Sequence, residues 1–245
     1  MIKANGDLKH LMSELNAQRD DSRKDILQRF FKTGPGQYAE GDIFLGLNVP
    51  VQRQIAKKYS HLGFEELSRL LSSDIHEYRL VALLILVEQY KTASSLKQKK
   101  KISDFYYSKR RRINNWDLVD LSSYHILGDY LLVTKQGISR LIKMSASSNI
   151  WERRIAMVST FAFIKAGRTK EPLAIASRLL ADKHDLIHKA VGWMLRETGK
   201  RASEATLLSF LDHNAANMPR TALRYAIERL GPKQKMYYLN IKKVL

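Results

Sequence analysis

The sequence contains no cysteine. That excludes disulfide staples, thiol nucleophiles and zinc–thiolate sites, and it is compatible with a reducing compartment. Glycine and proline are scarce, at 12 and 5 of 245 residues, too few for a sandwich or barrel built on many tight turns. Long apolar runs are missing too. The longest, Leu80 to Val87, falls far short of the roughly 20 residues that span a bilayer, and Met1 to Asp7 carries no apolar core of a secretory signal. No membrane partner is expected, and a cytoplasmic location is. Acidic residues are the minority charge, with 24 Asp and Glu against 42 Lys and Arg.

The resulting charge of +18 calls for a polyanion. Clustered Lys and Arg attract phosphate backbones and release their counterions, so salt-dependent nucleic-acid binding is the expected behaviour. A hydrophobic content of 44% argues against disorder and suits one domain over residues 1–245.

Nearly every apolar segment has helical spacing. Leu8, Leu11, Met12 and Leu15 form one stripe, and Ile26, Leu27, Phe30 and Phe31 the next. Thr33 to Asp42 breaks the pattern with Gly and Pro. Pro50 then suits the first turn of a helix to about Tyr59. Further stripes cover Phe64–Leu71, Tyr78–Tyr90, Trp116–Val133, Ile150–Ile164, Leu173–Leu180, Ile187–Leu195, Ala205–Leu211 and Thr221–Leu230. No alternating strand pattern stands out, so the class is all-α.

The stripes recur. A polar or basic opening followed by a small residue appears around Ala82, Ala156, Gly192 and Ala226. Ala156 and Gly192 are 36 apart, Gly192 and Ala226 are 34 apart, and Leu118 lies 36 after Ala82 and 38 before Ala156. A two-helix unit of this length is HEAT-like, and such units stack into a right-handed α–α superhelix, a solenoid with a concave face. Arg79, Arg153, Arg154, Lys189, Arg220 and Arg224 open the inner helices and are expected to line a basic groove. A second basic run, Lys97 to Arg112, is read as either a solvated face or loop, or a phosphate contact.

Asn114 to Ser123 is the segment richest in chemistry. Trp116 and Asp120 are four apart and share a helical face. A carboxylate beside an indole is costly to bury without a use. Asp117 has the alternative role of an N-terminal helix charge. Trp193 follows two repeats later. The seven histidines form no metal-binding spacing, and His184, Asp185 and His188 read as a helix start. Neither a glycine-rich phosphate loop nor a Gly-x-Ser-x-Gly elbow is present, and no cofactor is called for. Tyr38, in the Gly-rich loop, either clamps DNA or packs the loop.

Four stretches resemble the signature segments of the AlkD-type DNA alkylation repair enzymes. They are Phe44–Pro50, Asn115–Asp120, Asn149–Arg154 and His188–Glu197, in the family's order and over most of the chain. The Thr33–Asp42 insertion is longer than in the archetypal form. The resemblance implies a monofunctional glycosylase that hydrolyses the N-glycosidic bond of cationic purines, 3-methyladenine and 7-methylguanine, in duplex DNA, as a monomer, without a metal and without drawing the base into a pocket. By the same resemblance Asp120 is the catalytic aspartate, Trp116 and Trp193 flank the deoxyribose, and Arg154 contacts DNA nearby. Arg153, Lys189, Arg196, Arg79, His188 and Tyr38 complete the expected DNA contacts. The alternative is a non-catalytic HEAT-like module that binds damaged or branched DNA.

Overall fold

The apolar stripes fold as helices. The structure is a computed structural model that describes residues 2–241; Met1, at the head of the segment read for a leader, lies outside them. Among the described residues there is no strand, only one isolated parallel bridge between Ile43 and Ile75. The all-α expectation holds. The chain divides after Ser122 into two compact units.

The first unit holds α1 (Ile2–Ala17), α2 (Asp21–Phe30), α3 (Val49–Lys58), α4 (Phe64–Leu71), α5 (His76–Thr92), α6 (Leu96–Ser108) and α7 (Trp116–Asp120). Its centre is α5, whose Leu80–Val87 run is buried on every side; a helix apolar all round must be enclosed. Helices α1, α3, α4, α6 and α7 pack against it. Asn48 caps α3 by accepting from the Val51 amide at 3.0 Å, and Pro50 lies in its first turn. Between α2 and α3 the amides of Leu45, Gly46 and Leu47 all donate to the buried Glu77 carboxylate. Gly46 is required there: its φ is +94°, and a Cβ would stand 2.1 Å from the Asp20 carbonyl.

The second unit holds α8 (Asp129–Thr134), α9 (Ser139–Ser145), α10 (Ile150–Ser159), α11 (Phe161–Lys165), α12 (Lys170–Leu179), α13 (Asp185–Arg201), α14 (Glu204–Asn214), α15 (Arg220–Ala226) and α16 (Pro232–Asn240). The recurring helices are the ones that lie side by side: α10 packs on α13, and α13 on α15. The small residue of the repeat sits at the crossing. A Cβ on Gly192 would lie 2.4 Å from the Ala222 carbonyl oxygen, so only glycine lets α13 and α15 approach this closely.

Two long stripes are broken where continuous helices were expected. Trp116–Val133 splits into α7, a π-turn at Tyr124–Gly128 and α8. The buried Ser122 hydroxyl turns back onto the Leu118 carbonyl at 2.5 Å, the local competition by which serine ends or bends a helix. Ile150–Ile164 splits at Thr160, whose hydroxyl bonds the Met157 carbonyl at 2.6 Å. Of the second basic run, Lys97 to Lys101 lie on helix α6 rather than in a loop, with Lys97, Lys100 and Lys101 exposed and the helix anchored by buried Ile102 and Tyr106.

Candidate active site

Helix α7 is a single turn, too short to hold its own direction. Asn115 starts it by accepting from the Trp116 amide at 2.8 Å. Trp116 and Asp120, both half-buried, lie one turn apart on it. The Trp116 ring is fixed from three sides. Phe31 stacks on it at 4.9 Å and 10°, Phe30 meets it edge-on at 5.8 Å, and its indole N–H donates to the Tyr38 hydroxyl at 3.3 Å. Tyr38 therefore serves the loop and Trp116 together. Phe30 and Phe31, read in the sequence only as a stripe, are the aromatic partners that spacing did not identify.

Asp120 closes α7. Burial, opposed by the Ser122 hydrogen bond and reinforced by the Asp120 charge, pushes the Tyr106 phenol above its ordinary value. Tyr106 is thus a neutral hydroxyl beside the carboxylate, in contact with Ser122 at 3.0 Å. The alternative acid, Asp117, faces inward: its Oδ1 accepts from the Leu118 amide and its Oδ2 from His76 Nε2, both at 2.8 Å.

Arg79 corrects the expected groove. It is fully buried, donating to Asp42 at 2.6 Å and to the Ser73 carbonyl at 2.9 Å. A phosphate cannot reach a guanidinium enclosed beneath the Thr33–Asp42 loop, so Arg79 is not a DNA contact. Arg112, from the second basic run, is held by backbone while remaining partly exposed. It donates to the carbonyls of Leu71, Ser72 and Ser73 at the end of α4.

In the second unit the half-buried Trp193 lies tilted on Phe161, with centroids 6.2 Å apart. Phe161 also receives the Tyr124 edge at 5.1 Å and the Arg201 guanidinium at 5.4 Å. Arg153, Arg154 and His188 converge on the start of α13. Arg153 donates to Asp182 at 2.5 Å, His188 Nε2 to the Asp182 carbonyl at 2.5 Å, and Arg154, only 5% exposed, to the Leu186 carbonyl at 2.6 Å. His184 is the cap of that helix, its Nδ1 accepting from the Leu186 amide. The histidine cluster is a helix start, as the sequence suggested. Lys189 pairs with Asp185 at 2.7 Å. Arg196 stands apart, between Glu228 at 2.5 Å and Glu197 at 3.1 Å. Arg153, Lys189 and Arg196 thus each face a carboxylate, which reduces the field they offer to phosphate.

Among the described residues no helix is long and apolar enough to cross a membrane, and no group of three or more His, Asp or Glu is placed to hold a metal ion.

Residues 11–230 match the profile of the DNA alkylation repair enzyme family. Among solved structures the chain is similar to a predicted DNA alkylation repair enzyme from Enterococcus faecalis, at 16% identity and a TM-score of 0.67, over 88% of this chain and 98% of that one. At that identity the likeness is one of fold. No curated protein matches the chain.

Proposed function

This chain belongs to the DNA alkylation repair enzyme family, and from that premise we propose that it is a DNA glycosylase hydrolysing the N-glycosidic bond of cationic alkylated purines in duplex DNA. The observation that carries the reading is the Asp120 carboxylate one turn beyond an indole held rigid by Phe31 and Tyr38.

The chemistry suits these groups. A purine alkylated at N3 or N7 already bears positive charge, so it departs without a general acid. The strained species is then the oxocarbenium-like sugar. A carboxylate stabilises that cation and orients the attacking water, and an electron-rich indole face favours a cation beside it. In this reading Asp120 bears the charge, while Trp116 and Trp193 supply aromatic faces to the deoxyribose. Arg154, on α10 with its guanidinium against the start of α13, contributes the nearby DNA contact, with Arg153, Lys189, Arg196, His188 and Tyr38 as further candidates. Because only a cationic base leaves without being protonated, this chemistry favours 3-methyladenine and 7-methylguanine over neutral lesions. The partner is double-stranded DNA, met by a monomer in the cytoplasm and its nucleoid. No cofactor is required by this chemistry.

The net charge of +18 favours DNA binding whether or not a bond is cleaved, so a non-catalytic module for damaged or branched DNA is the second reading. Release of free methylated base from alkylated duplex, by wild type and by Asp120→Asn, separates the two.

A further inference from the structure

Behind α7 lies a buried polar cluster that the proposed chemistry does not use. His76 is 2% exposed. Its Nε2 donates to Asp117 at 2.8 Å and its Nδ1 to Asp42 at 3.3 Å. Carboxylates only accept, so both ring nitrogens carry hydrogen and the ring is an imidazolium. Arg79 donates to the other Asp42 oxygen at 2.6 Å, and Asn115 Nδ2 to Asp42 at 3.2 Å. Two carboxylates thus face two cations in the interior. Removing one partner would leave a charge uncompensated in the interior.

We propose that the His76–Asp42–Asp117–Arg79 cluster is a positioning device that sets the direction of α7, and with it the Trp116 ring and the Asp120 carboxylate. The residues on either side of Trp116 are the ones it holds. Asn115 is tied to Asp42 and Asp117 to His76. A one-turn helix supplies too few bonds of its own to fix these angles. The Thr33–Asp42 loop delivers both Tyr38, to the indole, and Asp42, to the cluster. A second path runs through rings: His76 stacks on Phe44 at 4.4 Å, Phe44 on Phe31 at 4.9 Å, and Phe31 on Trp116 at 4.9 Å. His76 touches no substrate in this scheme; it acts through Asp117 and α7.

The catalytic part of this inference rests on the glycosylase reading, while the placement of Trp116 does not. The test is fluorine NMR of full-length protein carrying 5-fluorotryptophan, with the resonances of Trp116, Trp151 and Trp193 assigned by Trp→Phe replacement, alongside single-turnover release of 7-methylguanine. Asp117→Asn and His76→Gln remove the charge pair. Asn115→Ser keeps an N-cap acceptor and deletes only the link to Asp42, so it is the variant most certain to fold. The expected result is a displaced or split Trp116 resonance in each folded variant, unmoved Trp151 and Trp193 resonances, a release rate at saturating protein at least tenfold lower for Asp117→Asn, and an unchanged DNA dissociation constant. A Trp116 resonance that stays in place in folded Asn115→Ser and in any folded charge-pair variant overturns the proposal. A wild type that releases no base defeats the glycosylase reading and leaves the NMR outcome to judge the cluster.

Discussion

Phe31 and Trp116 lie nearly parallel, their rings 4.9 Å apart with 10° between the planes. A residue at the end of α2 thereby fixes the attitude of an indole on α7, across 85 positions of sequence. Stacked pairs of this kind contribute about 0.5–1.5 kcal/mol beyond their buried area. Phe31→Leu keeps most of the volume and removes the stack. It should lower the single-turnover rate of base release several-fold while DNA affinity holds within about twofold, as read by titration of labelled duplex.

Arg79→Met tests the correction to the groove. Leaving Asp42 buried without its guanidinium should cost about 3–5 kcal/mol in urea denaturation. The folded fraction should bind DNA with the same dependence on salt as wild type, whereas loss of a true phosphate contact lowers that slope by about one.

The pH dependence of stability has a definite sign. Burial pulls the His76 pKa down, but the Asp117 charge and the bonds to Asp117 and Asp42 outweigh it and raise the value to about 9. A folded value above the unfolded 6.5 means that the stabilisation is complete below pH 6.5 and lost as pH rises through about 9. Its size is on the order of 3 kcal/mol. The stability advantage of wild type over His76→Gln, from urea midpoints, should therefore shrink across that window. An advantage that grows with pH would contradict the ion pair.

Gly192→Ala should destabilise despite alanine's better helix propensity, worth about 1 kcal/mol. Its Cβ meets the Ala222 carbonyl at 2.4 Å and Tyr225 Cβ at 2.5 Å, backbone and near-backbone atoms that cannot yield without moving α15. Overpacking of this kind costs about 1–3 kcal/mol or more, at about 2–4 °C per kcal/mol in Tm. Gly199→Ala, which meets the flexible Leu207 Cδ2 at 2.4 Å, should cost less in the same thermal scan.

The sequence announced those features whose cause is local. The Phe64–Leu71 stripe is α4 residue for residue, and Pro50 marks the first turn of α3. The last step of the repeat was visible because a small residue stands where α13 crosses α15, at Gly192. Contacts across long separations were not legible. Arg79 opens its helix much as Arg153 does, and only the fold shows a loop 37 residues earlier laying Asp42 over it. The split after α7 depends on which way the Ser122 hydroxyl turns, which periodicity does not report. Trp116 and Asp120 were found as a pair from their spacing, but the aromatic and ionic supports behind them come from α2, the Thr33–Asp42 loop and α5. The acidic partners of Arg153, Lys189 and Arg196 likewise lay outside a reading based on charge totals.

The most direct measurement is single-turnover release of 7-methylguanine and 3-methyladenine from methylated duplex DNA, comparing wild type with Asp120→Asn and monitoring DNA binding in the same samples. Wild type should liberate both bases, and Asp120→Asn should lose at least a hundredfold in rate with its affinity for the duplex retained. Wild-type protein that binds the duplex and frees no methylated base, or an Asp120→Asn variant as fast as wild type, would contradict the account.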